Sequence, residues 1–271
     1  MLEAMGLRLW ALPSATSGAA APAIGAVTPE IEVPPTAPPA TARAATPPAA
    51  AKPMPPVVAA AADDDTRARR IAGLDWADLR SEAEQCRACG LCENRRQVVF
   101  GVGHVQARWM VVGEAPGEQE DLQGEPFVGP SGQLLDNMLR ALGLTRATDG
   151  PEPPEQRVYI ANTLKCRPPR NRNPEPAEMV QCEPFLMRQI ALVQPRLILA
   201  MGRFAVQALL RSNEPVGKLR GKVHRYQGVP LVVTYHPAYL LRNLPDKARA
   251  WEDLCLAAAV AEGDTGDARV R

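Results

Sequence analysis

Four short apolar runs, each ended by a glycine or a polar residue and followed by a helical pattern, constrain this 271-residue chain more than any other feature. They are Trp109–Val112, Arg157–Asn162, Leu197–Met201 and Leu231–Tyr235. Their interiors carry apolar, often β-branched side chains at odd and even positions alike, as strands covered on both faces must. Helical spacing follows: Leu134, Leu135, Met138, Leu139 and Leu142 after the first run, then Pro176–Val193, Phe204–Leu210 and Asp246–Glu262. Strands alternating with helices predict a three-layer α/β/α domain around a central four-stranded parallel sheet. Ligands of such sheets bind beyond the carboxyl ends of the strands. Glu114, Asn162, Gly202 and His236 follow or end the four runs, so a carboxylate, an amide and an imidazole are expected to converge there.

The first strand–helix connection is unusually rich in chemistry. It holds Glu114, Glu118, Glu120, Asp121, Glu125 and Phe127 among glycines, ending in PFVGPSG. A connection of that length is usually functional or disordered, and its apolar anchor and tight turns argue for order. Ser131 is expected to cap the helix that follows and Gly143 to close it.

The chain before residue 69 reads differently. Residues 11–62 contain 12 Pro and 19 Ala and no aromatic residue, so they cannot bury enough apolar surface to offset their ordering entropy. Residues 13–68 are therefore expected to be a disordered linker, 69–262 the folded domain and 263–271 a flexible tail. The tip 1–12, MLEAMGLRLWAL, has the apolar residues of a short docking motif for a replication or repair protein, the alternative being a frayed terminus or mis-called start. It lacks the order of regions of a signal peptide, and no apolar run reaches membrane-span length, so a cytoplasmic protein with no membrane partner is expected. Between Cys86 and Pro245, 20 Lys and Arg face 14 Asp and Glu. That surplus permits a polyanionic partner without demanding one.

Six cysteines occur, four of them as Cys86-x2-Cys89 before the first strand and Cys166-x15-Cys182 after the second. In a reducing compartment metal binding is favoured over disulfides, and four thiolates suit zinc or an iron–sulfur cluster. The wide second pair sits in the Pro/Arg-rich CRPPRNRNPEP and favours a [4Fe–4S] cluster. Cys92 is a rival ligand, and Cys255 is expected in the core.

Taken together these stretches resemble the family 4, iron–sulfur uracil-DNA glycosylases. The resemblance rests on Cys86-x2-Cys89 with VVFGVG, GEAPGEQED, GEPFVGPSGQLL, Asn162 with KCRPPRNRNP, Cys182, and HPAYLLRN, in the family's order from about Leu74 to Val260. It implies excision of uracil from DNA and a cluster held by Cys86, Cys89, Cys166 and Cys182. A base acted on chemically must leave the stack for a pocket. Phe127 is expected to stack on it, Asn162 to read its amide edge, and Ala115 and Gly117 to form the wall that meets thymine's methyl. By the same resemblance His236 stabilises the departing uracil oxygen. Glu114 is the first candidate to position water, in place of the Asp that other families carry where this chain has Ala115, and Glu120 is the second. In HPAYLLR, Leu240 or Leu241 would wedge the duplex and Arg242 meet phosphate. Lys218, Arg220 and Lys222 of GKLRGKVHR would add backbone contacts. The rivals are a non-catalytic DNA-binding module and a covalently trapping relative with a reactive histidine in the interval Lys165–Cys182, where this chain has none. A monomer is expected.

Overall fold

The structure, a computed structural model, describes residues 57–263; the segment 1–12, most of the linker and residues 264–271 lie outside the described residues. Helices α1 (Val57–Ala72) and α2 (Trp76–Gln85) open it, so the expected domain boundary at residue 69 falls inside a helix. Strands β1 (Val102–Gly103) and β2 (Trp109–Gly113) follow, then α3 (Glu118–Gln123), α4 (Pro130–Ala141) and β3 (Val158–Asn162). Next come α5 (Pro176–Val193), β4 (Leu197–Met201), α6 (Arg203–Leu210) and α7 (Val216–Leu219). The chain closes with β5 (Val223–Tyr226), β6 (Val229–Thr234), α8 (Pro237–Leu240) and α9 (Asp246–Glu262).

The sheet has six strands in the order β1-β3-β2-β4-β6-β5. The four expected strands form its parallel centre, with Gly113 beside Asn162 and Met201 beside Thr234. β1 and β5 add antiparallel edges. Four strands were expected because β1 is two residues long and β5, VHRY, is half exposed and polar, leaving no apolar run to mark either.

Alternation along the strands builds the two cores. Val111, Ile160, Leu199 and Val232 face α4 and α9, where Leu135, Met138, Leu139 and Leu254 meet them. Met110, Val112, Ile198, Ala200 and Val233 face α5 and α6. A third cluster joins α1, α2 and the cysteine-bearing segments through Ile71, Leu79, Leu91, Phe100 and Phe185. The cap of α4 is Gly129, with Pro130 in its first turn, rather than Ser131. Cys255 is exposed on α9, because Leu254 and Ala257 take the inward face. Among the described residues no helix is long and apolar enough to cross a membrane.

Candidate active site

The carboxyl ends of β2, β3, β4 and β6 open into one cleft of about 860 Å³. Glu114, Ala115, Gly117, Glu120, Phe127, Asn162, Gly202, His236 and Arg242 all line it, so the convergence expected from the strand ends occurs.

Asn162 ends β3 and is 2% exposed. Its Oδ1 is fully buried without a hydrogen-bond partner among the described residues. An orphaned buried acceptor costs about 1–3 kcal/mol, which a ligand donor would recover. Gly113 lies against it: a Cβ there would stand 2.4 Å from Asn162 Oδ1 and 2.6 Å from Phe127 Cζ. Glycine at this point lets an amide and an aromatic ring share the cleft floor.

Phe127 is buried at φ +56°, a left-handed conformation that a bulky residue adopts only under constraint. Arg146 supplies part of that constraint. Its guanidinium donates to the carbonyls of Phe127 (2.5 Å) and Pro126 (2.7 Å) and to Asp136 (2.7 Å). Gly132 supplies the rest, since a Cβ there would sit 1.7 Å from the Phe127 carbonyl oxygen. The ring then packs on the His236 imidazole, with centroids 5.4 Å apart and planes 29° from parallel.

His236 caps α8, its Nδ1 accepting from the Ala238 amide at 3.2 Å. With Nδ1 an acceptor, the neutral ring carries its proton on Nε2. Although the residue keeps some surface, burial of the imidazole lowers its pKa to about 4; the Arg242 cation adds to this and Glu120 opposes it. At neutral pH the site therefore holds an uncharged donor.

The glutamates divide. Burial pushes the Glu114 carboxyl above its ordinary range and the Arg203 cation partly counters it; no hydrogen bond engages that carboxylate among the described residues. Glu120 is committed to the loop. Its Oε2 accepts from Gly117 N (3.1 Å), and its Oε1 from Val128 N (3.0 Å) and Gly129 N (3.1 Å). It ties the N-terminus of α3 to that of α4, which commits its carboxylate to holding the loop. Of the other loop acids, Asp121 accepts from Arg96 N, Glu118 pairs with Arg167, and Glu125 faces Arg146.

Two expected DNA contacts are spoken for. Leu240 is 0% exposed and packs into the α4 and α9 core, whereas Leu241 is 42% exposed. Arg220 bonds Asp253 (3.1 Å), Glu252 (2.9 Å) and the Arg249 carbonyl on α9. Lys218, Lys222 and Arg242 remain exposed.

Behind the cleft, Cys86, Cys89, Cys92, Cys166 and Cys182 line a small common cavity. Among the described residues no three thiol, imidazole or carboxylate groups converge at single-ion geometry. A multi-iron cluster holds its thiolates further apart than one ion does. The donor chemistry fits such a group: Lys165 N donates to Cys182 Sγ (3.2 Å), Arg95 to Cys166 Sγ (3.1 Å) and Arg67 to Cys86 Sγ (3.4 Å). Burial raises the Cys182 thiol to about 12 and pushes Cys166 up, so a cationic centre is what would hold them as thiolates. Lys165 also donates its amine to the Asn162 carbonyl (2.8 Å), tying this region to the cleft.

Residues 100–255 match the family model described as the uracil DNA glycosylase superfamily. The chain belongs to that superfamily. It is 40% identical over 172 residues to the type-4 uracil-DNA glycosylase of Archaeoglobus fulgidus, covering 60% of this chain and 82% of that one. It is 40% identical over 168 residues to the type-4 uracil-DNA glycosylase of Thermotoga maritima, covering 61% and 83%. A type-5 uracil-DNA glycosylase of Pyrobaculum aerophilum matches at 34% over 151 residues, 52% of this chain and 66% of that one. Within this superfamily member, Arg146, Gly113, Gly132, Lys165 and Arg203 escaped sequence reasoning. Arg146 and Arg203 stand in no motif, and Gly113, Gly132 and Lys165 lie inside motifs that say nothing of the neighbours through which they act.

Proposed function

We propose that this uracil-DNA glycosylase hydrolyses the N-glycosidic bond of uracil flipped out of DNA, leaving an abasic site, with the roles that follow. The observation that carries the reading is the orphaned Asn162 Oδ1 in a cleft shared with the proton-bearing imidazole of His236. Asn162 accepts the uracil N3–H through Oδ1 and donates to O4 through Nδ2. Cytosine presents the reversed pattern and would leave buried groups unpaired, a strong basis for rejection. The Phe127 ring stacks on the base, and Ala115 and Gly117 meet the position where thymine carries its methyl.

As the bond breaks, negative charge gathers on the uracil oxygen. His236, neutral and with Nδ1 already engaged, offers Nε2–H to it, a preorganised donor. Glu114, whose carboxylate has no donor among the described residues, orients the attacking water, and Glu120 holds the loop that presents it. Leu241 fills the gap left by the base, while Arg242, Lys218 and Lys222 meet the backbone. Cys86, Cys89, Cys166 and Cys182 would hold a [4Fe–4S] cluster, which supplies cross-linking of the N-terminal helices to the Cys166 loop and no electrons to the hydrolysis.

The test is incubation of the purified full chain with a labelled duplex containing one uracil. Free uracil plus an alkali-labile site is expected. A stable protein–DNA adduct, or binding with no release, would overturn the hydrolytic reading.

A further inference from the structure

Two tyrosine rings that line the cleft have no part in uracil recognition. Tyr235 and Tyr239 stack with centroids 5.1 Å apart and planes 20° from parallel, and both line the cleft. Their position follows from the fold: Tyr235 directly follows β6, and Tyr239 stands one helical turn beyond His236 in α8. The upper ring is fixed at its far end, because the Tyr239 hydroxyl donates to Asp246 Oδ2 at 2.7 Å. Asp246 opens α9 and is itself held by Arg249 at 3.0 Å. The Tyr239 carbonyl accepts from the amides of Arg242 and Asn243 and from the Asn243 side chain, which pins its backbone. Yet Tyr239 remains 36% exposed. An aromatic ring tied at both ends and open on the cleft side is a preordered stacking surface, one that loses little freedom on binding.

We propose that the Tyr235–Tyr239 pair is a second base-binding subsite, which stacks the nucleobase adjacent to the flipped uracil in the same strand. The inference rests on the uracil-excision reading above and extends it. Tyr239 stands three positions beyond His236, the residue that meets the uracil oxygen in this reading, and lines the same cleft as Asn162, so its ring is open to the nucleotide bonded next to the flipped uracil. Aromatic stacking is tolerant of base identity, since every base has a π face. The shelf therefore recognises a displaced base without reading it. It also replaces stacking partners that a single strand lacks, so its effect is larger on single-stranded than on duplex substrate.

The experiment uses the full chain and a single-stranded oligonucleotide carrying a 2′-fluorinated deoxyuridine that resists cleavage, with fluorescent 2-aminopurine on its 5′ or its 3′ side. Stacking on tyrosine quenches that fluorophore. Wild type and Tyr239→Phe should both quench one flank, and Tyr239→Ala should leave it bright. With cleavable uracil in a single strand, KM should rise about tenfold or more in Tyr239→Ala and return to within about threefold of wild type in Tyr239→Phe. Equal emission from wild type and Tyr239→Ala at both flanks, or a Tyr239→Phe protein indistinguishable from Tyr239→Ala, would overturn the subsite. If Tyr239→Ala unfolds early in a thermal scan, Tyr235→Leu, which removes the supporting ring, carries the same comparison. Wild type that releases no uracil from any substrate defeats the glycosylase reading instead, a result distinct from either.

Discussion

Replacing Gly113 with alanine adds one methyl group against both Asn162, the proposed uracil reader, and Phe127, the proposed stacking ring. Its Cβ would lie 2.4 Å from Asn162 Oδ1 and 2.6 and 2.8 Å from Phe127 Cζ and Cε2, where ordinary contact begins near 3.4 Å. Asn162 must retreat by about 1 Å and Phe127 by nearly as much. Arg146 and Gly132 fix the Phe127 backbone and Asn162 is 2% exposed, so the retreat displaces both side chains on the cleft floor. Overpacking of this kind costs about 1–3 kcal/mol of stability, so the protein should still fold. Misplacing a reacting partner by 1 Å costs about a hundredfold in rate, and here two partners move together. Steady-state uracil release should fall by about that factor or more, while the thermal midpoint drops by about 2–12 °C, at about 2–4 °C per kcal/mol. Gly113 is not in a left-handed conformation, so the effect is steric and not backbone strain. Gly113→Ala within about threefold of wild-type kcat/KM, against the hundredfold expected, would refute the tight-floor argument.

The pH dependence carries a second prediction: because His236 titrates near 4 rather than 6.5, its protonation should not reduce the rate until well below pH 6, and an inflection at 6.5 that vanishes in His236→Gln would contradict this. The same shift makes His236 a source of stability that is fully present above pH 6.5 and is lost as pH falls toward 4, because the unfolded chain takes up the proton first; acid unfolding of His236→Gln against wild type measures it. Arg220→Ala should cost about 2 kcal/mol by stranding buried Asp253 and leave the salt dependence of DNA binding unchanged, whereas Lys222→Ala should leave stability intact and lower that slope by about one. Leu240→Ala should destabilise by about 2–5 kcal/mol as a core cavity, whereas Leu241→Ala should lower activity on duplex DNA with the thermal midpoint preserved.

What the sequence disclosed and what it hid divide along a physical line. Runs buried on both faces have an unmistakable composition, so β4 was read at Leu197–Met201 and the other central strands within two residues at each end. Because those strands are parallel, their carboxyl ends had to share an edge, which placed Glu114, Asn162 and His236 together before any coordinates. The edge strands were not legible, since VHRY satisfies its backbone on one side only and needs no apolar pattern. Roles set by a partner far along the chain were equally hidden. Arg220 reads as a DNA-facing cation until Asp253, 33 residues on, is seen beneath it. Glu120 reads as a catalytic acid until three amides are found on its carboxylate, and Leu240 as a wedge until the α8 turn directs it inward. Cys255 was assigned to the core from its apolar neighbours, but helical phase turned it outward.

The central claim is that the unpartnered Asn162 Oδ1 awaits the uracil imide. Its most direct test is single-turnover uracil release by wild type and Asn162→Ala, each with the same iron content and visible absorbance. A loss of about a hundredfold or more, of the order seen when one preorganised polar contact is removed, is the predicted result. An Asn162→Ala protein of unchanged iron content that releases uracil within a few-fold of the wild-type rate would contradict it.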